Sequence, residues 1–264
     1  MRLKLVPARQ GLVWVKHGLR VFFMRPMAFC LLFLIFMIVG PSVMLAVAPL
    51  ATIGFMLATQ EALQGRFPWP SVFVRPLQID KRRLWAQVKL GLAYAACTLL
   101  VYFISKAVDA GALDELNKAM GSGQNPQDVA PLLSDPRLQA WWFVLVAGVG
   151  LLAAPFWYAP ALVHWGGMSA GKAVFFSTVA CWRNKGALLL YSLGWAAVMM
   201  VFALVSGTIF ALLGAPQLAL AAIMPAALML SAAFYASLYF TFVDCFEPGD
   251  AGDIPIAPPP QETP

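Results

Sequence analysis

Four stretches of this chain, residues 84–105, 140–164, 187–213 and 218–243, each run for more than twenty residues, and Lys89 is the only Lys, Arg, Asp or Glu in any of them. A bilayer core about 30 Å thick is crossed by roughly 20 apolar residues at about 1.5 Å per residue. Each stretch therefore reads as one transmembrane helix, the form that satisfies its own backbone in lipid. Composition agrees, since 61% of the 264 residues are hydrophobic and 11% are charged, against about 25% charged in a soluble domain. A water-soluble enzyme and a disordered chain are both excluded on that ground.

The run 27–59 is too long for one upright helix and short for two, with Gly40-Pro41 in its middle. Charge decides its path, because short cytoplasmic loops are rich in Lys and Arg. If 27–59 is a hairpin of two short spans, 27–40 and 42–60, then residues 1–26 and 62–83 share a face. Arg2, Lys4, Arg9, Lys16, Arg20 and Arg25 join Arg66, Arg75, Lys81, Arg82 and Arg83 there. Two further crossings add Lys172, Arg183 and Lys185, which places fourteen of the 18 basic residues on one side. The opposite loop, 106–137, carries Asp109, Asp114, Glu115, Asp128 and Asp135. The sequence thus predicts an all-α integral membrane protein with six transmembrane helices and with N- and C-termini cytoplasmic. Residues 1–246 form one membrane domain. Residues 247–264, with six prolines and four acids, are expected to be a disordered cytoplasmic tail. The basic start is too long for a cleaved signal, and Pro49 follows the nearest Ala-x-Ala, so residues 1–60 are expected to stay in the mature protein.

Basic, aromatic-bearing segments lead into the spans. Over 9–23, Leu12, Val15, Leu19, Phe22 and Phe23 fall on one helical arc, and Arg9, Gln10, Lys16, His17 and Arg20 on another. That pattern predicts a helix lying in the membrane interface. A second such segment spans 169–183, with Ser169 as its expected N-cap and Lys172 and Arg183 on one side. The lipid-interface candidates are Arg9, Lys16, Arg20, Arg25, Arg82, Arg83, Lys172 and Arg183. Anionic lipid accounts for such charges at about 1 kcal/mol each, so nucleic acid is not an expected partner; association with other copies or another membrane subunit is. Pro49, Pro155, Pro160 and Pro225 are candidates for helix kinks that shape a cavity.

The spans hold almost no ionisable group of the kind that marks pumps and intramembrane enzymes. The cysteines Cys30, Cys97, Cys181 and Cys245 show neither disulfide nor zinc spacing. No phosphate-binding loop, H-E-x-x-H or G-x-S-x-G motif is present. His164 with Glu61 is the one pair able to act as acid and base, if those span ends meet. The expectation is a protein without catalysis, cofactor or metal. The alternative is a transporter of a small neutral solute or lipid using a cavity between kinked helices.

The opening Met1-Arg2-Leu3-Lys4-Leu5-Val6-Pro7-Ala8-Arg9-Gln10-Gly11, with Trp14-Val15, Arg25-Pro26, Gly54-Phe55-Met56 and Gly65-Arg66-Phe67, resembles a family of uncharacterised, conserved bacterial inner-membrane proteins of beta-proteobacterial type. Trp165-Gly166-Gly167-Met168-Ser169 and Lys172-Ala173-Val174-Phe175-Phe176-Ser177, ending in Arg183-Asn184, are similar to that family's second signature. The likeness covers residues 1 to about 245. It implies a polytopic membrane protein and supplies no catalytic residues.

Overall fold

The structure, a computed structural model, describes residues 1–38, 41–122, 131–214 and 217–247, with side chains from 48 and 222 onward in the two helices that open at 41 and 217. Among the described residues the order is β1 Arg2–Leu3, α1 Gln10–Met24, α2 Pro26–Ile38, α3 Pro41–Leu63, two 3-10 turns at Pro70–Phe73 and Arg75–Leu77, α4 Lys81–Asp109, α5 Ala112–Gly121, α6 Pro136–Trp157, α7 Ala159–His164, α8 Ala170–Arg183, α9 Lys185–Leu212, α10 Gln217–Cys245 and β2 Phe246–Glu247. Four segments are long and apolar enough to cross a membrane: Lys81–Asp109, Pro136–His164, Lys185–Leu212 and Ala222–Cys245. Gln10–Met24 and Pro26–Ile38 make a fifth if taken as one broken span, since they meet at a bend of 99°. Where two short spans were expected in 27–59 stand α2 and α3. The 13 residues of α2 extend about 20 Å, less than the hydrocarbon core. Arg25 Nη2 donates to the Gly65 carbonyl at 3.3 Å, so the start of α2 lies beside the end of α3.

One end of the bundle is tied together by polar contacts. β1 pairs antiparallel with β2, Arg2 opposite Glu247 and Leu3 opposite Phe246, and Lys4 N–H donates to the Cys245 carbonyl at 2.8 Å. Asn184, between α8 and α9, closes the seam: its Oδ1 accepts from Val6 N–H at 3.0 Å and its Nδ2 donates to the Lys4 carbonyl at 3.1 Å. Arg83 Nη1 donates to the His164 carbonyl at 2.8 Å, bringing the start of α4 to the end of α7. Trp165 stacks on Phe242. The starts of α4 and α9 and the ends of α7 and α10 therefore share the end that holds both β-strands. Glu247, expected in the tail, belongs to β2 and forms an ion pair with Lys4; the tail from 248 onward lies outside the described residues.

The core sits at that end. Trp14, Tyr158, Trp165, Tyr191 and Tyr239 are fully buried there, whereas the far halves of α4, α6 and α9 are largely exposed. Exposure of Leu204, Val205, Leu212 and Leu213 would be unfavourable in water at about 25 cal/mol per Å² and is neutral against lipid. At the other end α5, which the sequence reading left inside a loop, packs Ala112 and Leu116 onto Leu138 and Trp141 of α6. Asp135 caps α6 and, with Glu115, binds the Arg137 guanidinium.

The first segment is docked on protein along one face. Gln10 and Trp14 donate to Asp244 Oδ2, each at 2.7 Å, and Gly18 meets Ser237, so α1 follows α10 in the opposite direction. A Cβ on Gly11 would stand 2.1 Å from the Ala187 carbonyl oxygen, and one on Gly18 would stand 2.2 Å from Ser237 Cβ. The two glycines let α1 settle into the groove between α9 and α10. Its buried face is Gly11, Trp14, Val15, Gly18, Val21 and Phe22. Leu12 and Phe23, expected with that face, are exposed, while His17, expected on the polar arc, is buried against Phe240.

Candidate functional site

The turn before α8 needs a backbone that only glycine adopts easily: Gly167 has φ +60°, and the Arg83 guanidinium lies 3.3 Å from where its Cβ would be. Ser169 stands at the N-cap with extended backbone but makes no capping bond. The helix then buries only small groups, Ala173, Ser177, Ala180 and Cys181, so it sits close on α6.

Ser177 explains the break between α6 and α7. In a continuous helix Tyr158 N–H would bond the Ala154 carbonyl. Here the Ser177 hydroxyl stands between them, accepting from Tyr158 N–H at 3.0 Å and donating to Ala154 O at 2.7 Å. Pro155 and Pro160, lacking N–H groups of their own, weaken the ladder on either side. The Cys181 thiol donates to the same Ala154 carbonyl at 3.5 Å, and burial pushes its pKa up to about 12, which keeps it protonated and unreactive.

The outward face of α8 combines cations with aromatics. Lys172 and Arg183 are exposed, as are Phe175 at 63%, Phe176 at 42% and Trp182 at 72%. Three aromatic rings left uncovered beside basic groups fit the boundary between headgroups and acyl chains.

The chain is 30% identical to a probable inner membrane protein of Burkholderia thailandensis, over 94% of this chain and 96% of that protein. The chain belongs to that family of bacterial inner membrane proteins. No family model and no solved structure matches it.

In this inner membrane protein, Arg9, Lys16, Arg20, Arg25, Arg82, Lys172 and Arg183 are exposed, and Arg83 is half-buried at the α4–α7 contact. On α1, Lys16 and Arg20 lie opposite the buried glycine face, flanked by exposed Leu12 and Phe23. The conditional pairing of His164 with Glu61 is not formed. The Glu61 carboxylate binds Arg75, and His164 is buried with its ring edge-on to Trp165. Among the described residues no group of three His, Cys, Asp or Glu is placed to hold a metal.

All four prolines adjoin cavities or breaks. Pro49 lines a cavity of about 320 Å³ between α3, α4, α6 and α10, with Thr52, Tyr94, Trp157 and Tyr235 in its wall. Pro225 lines another of about 300 Å³ with Phe22 and Phe23. Pro160 lies in α7, and its carbonyl accepts from Gln87 at 2.8 Å. Pro155 is beside the Ser177 break. Sequence reasoning missed Ser177, Asn184 and Asp244 as organising residues. Ser177 and Asn184 stand within the second signature, and Asp244 is an acid that closes an otherwise uncharged helix, so position alone could have singled them out.

Proposed function

We propose that this inner membrane protein is a non-catalytic, six-span component whose basic and aromatic segments hold anionic lipid on the cytoplasmic side, where both termini lie. The outward face of α8 carries the reading. A helix in water gains by burying Phe175, Phe176 and Trp182 and exposing its small residues, and α8 does the reverse. The arrangement is favourable when lipid covers the rings, and Lys172 and Arg183 then stand at headgroup level. The Arg25–Gly65 contact supports a hairpin for 27–59, and the seam of β1, β2 and Asn184 supports termini on a shared side.

The test uses protein extracted from its membrane in polymer-bounded nanodiscs, with the co-extracted lipids quantified. Phosphatidylglycerol enriched over the bulk membrane is expected for the wild type. Lys172→Glu/Arg183→Glu and Arg9→Glu/Lys16→Glu/Arg20→Glu should each lower that enrichment, with a loss of affinity of roughly thirtyfold for the first and roughly a hundredfold for the second at about 1 kcal/mol per basic residue. Identical lipid profiles in all three proteins refute the reading. A second reading, passage of a small neutral solute or lipid, draws on the 320 Å³ cavity beside Pro49. The same protein in sealed vesicles separates the two, because solute flux above that of empty vesicles puts transport first.

A further inference from the structure

A second feature of α8 lies on its flank toward α9. The two helices diverge from Asn184, and between them runs a groove of about 640 Å³ whose floor and walls include Ala154, Thr178, Leu188, Leu189 and Ser192. Two of its polar wall groups are already satisfied: Thr178 Oγ1 donates to the Val174 carbonyl at 2.9 Å, and Cys181 donates to Ala154. The groove therefore asks for an apolar occupant. From Lys185 to Ser192 it follows α9 for about two turns, roughly 10 Å, and exposed Leu189 and Leu193 continue it along the span.

The mouth has the opposite character. Lys185 Nζ stands 4.9 Å over the Trp182 ring, exposed Arg183 is adjacent, and no acid lines the groove. Lys185 also begins α9, a 28-residue helix whose N-terminal dipole favours negative charge. A fixed anion site at the end of an apolar channel matches one molecular class, a lipid with a charged phosphate and a long chain.

We infer that the α8–α9 groove binds one anionic phospholipid, its phosphate at Lys185 and Arg183 and one acyl chain laid between Thr178 and Ser192. The inference rests on the lipid-holding role proposed above and narrows it to a single retained molecule.

Native mass spectrometry of the full chain in mild detergent, titrated with phosphatidylglycerol or phosphatidylcholine, tests it. The wild type should keep one phosphatidylglycerol through activation that strips phosphatidylcholine, with at least a tenfold preference that millimolar inorganic phosphate does not displace. Ser192→Trp and Thr178→Phe, both at exposed positions, fill the groove without altering charge and should each reduce the one-lipid species tenfold or more. Lys185→Glu should abolish the preference for phosphatidylglycerol while leaving phosphatidylcholine binding intact. An unchanged one-lipid species in both filling variants overturns the groove. If nanodisc enrichment still falls in Lys172→Glu/Arg183→Glu, the broader lipid-holding reading stands without it. If enrichment is also unaffected there, both fail.

Discussion

Replacing Ser177 by alanine removes one oxygen from the contact that parts α6 from α7. The Tyr158 N–H and the Ala154 carbonyl, both served by that oxygen, then have two options. They can bond each other as in a straight helix, but this swings α7, and all six of its residues are buried, so the core would have to open. Otherwise they stay apart, and a buried N–H loses its partner at a cost of about 1–3 kcal/mol. The carbonyl keeps the weak Cys181 thiol, which limits the further loss. The expected destabilisation is about 2 kcal/mol, or a fall in Tm of roughly 4–8 °C for a chain of this size. Thermal unfolding of the detergent-purified protein, followed by tryptophan fluorescence, measures it. Ser206→Ala serves as the control, because that hydroxyl bonds only carbonyls of its own helix, at 2.8 and 3.2 Å. A Ser177→Ala protein melting within about 1 °C of that control would show that the hydroxyl does not hold the break.

Two further outcomes test other parts of the fold. Alanine in place of Gly18 stabilises an isolated helix by about 1 kcal/mol, but against Ser237 it forces overpacking worth about 1–3 kcal/mol, so the same melt should show Gly18→Ala below wild type; a higher Tm means α1 is not seated between α9 and α10. At the other end, hydrogen bonds from Arg137 hold the Asp135 carboxyl below its ordinary value. A group whose pKa is lower folded than unfolded stabilises above its unfolded pKa and loses that contribution as the pH falls through its folded one. Protection of the amides at the start of α6, taken as exchange relative to the intrinsic rate at each pH, should therefore fall as the pH drops below about 4 in the wild type, and Asp135→Asn should flatten that dependence; identical pH profiles would contradict it.

The spanning segments were legible because length and apolarity are one-dimensional properties that the bilayer reads directly. Residues 84–105 appear as Lys81–Asp109 and 187–213 as Lys185–Leu212, longer at their polar ends, where charges such as Lys81 and Lys185 snorkel. What faces each helix was less legible. An amphipathic pattern states that one side of α1 avoids water, not whether lipid or protein covers it. The face that buries turned on Gly11 and Gly18, which a hydropathy wheel scores as nearly neutral although they decide how close two backbones come. His17 was misassigned for the same reason: its ring packs on Phe240, a residue 223 positions away in sequence. Ser177 carries no role visible in its motif, because inserting a hydroxyl into another helix's ladder is a contact between distant segments. The aromatic and basic character of 169–183 was visible at once, and its outward display depended on the small residues that alternate with it.

The union of the first strand with the last fixes a sequence of events during biosynthesis. Residues 2–24 emerge well before their partners Asn184, Asp244 and Phe246, so this helix waits while some 220 residues are translated, roughly 10 to 45 s at ordinary elongation rates. In that interval its glycine face and Trp14 lack the α9 and α10 surfaces that cover them in the finished fold. The finished assembly closes like a clasp, the earliest segment locked in by the newest.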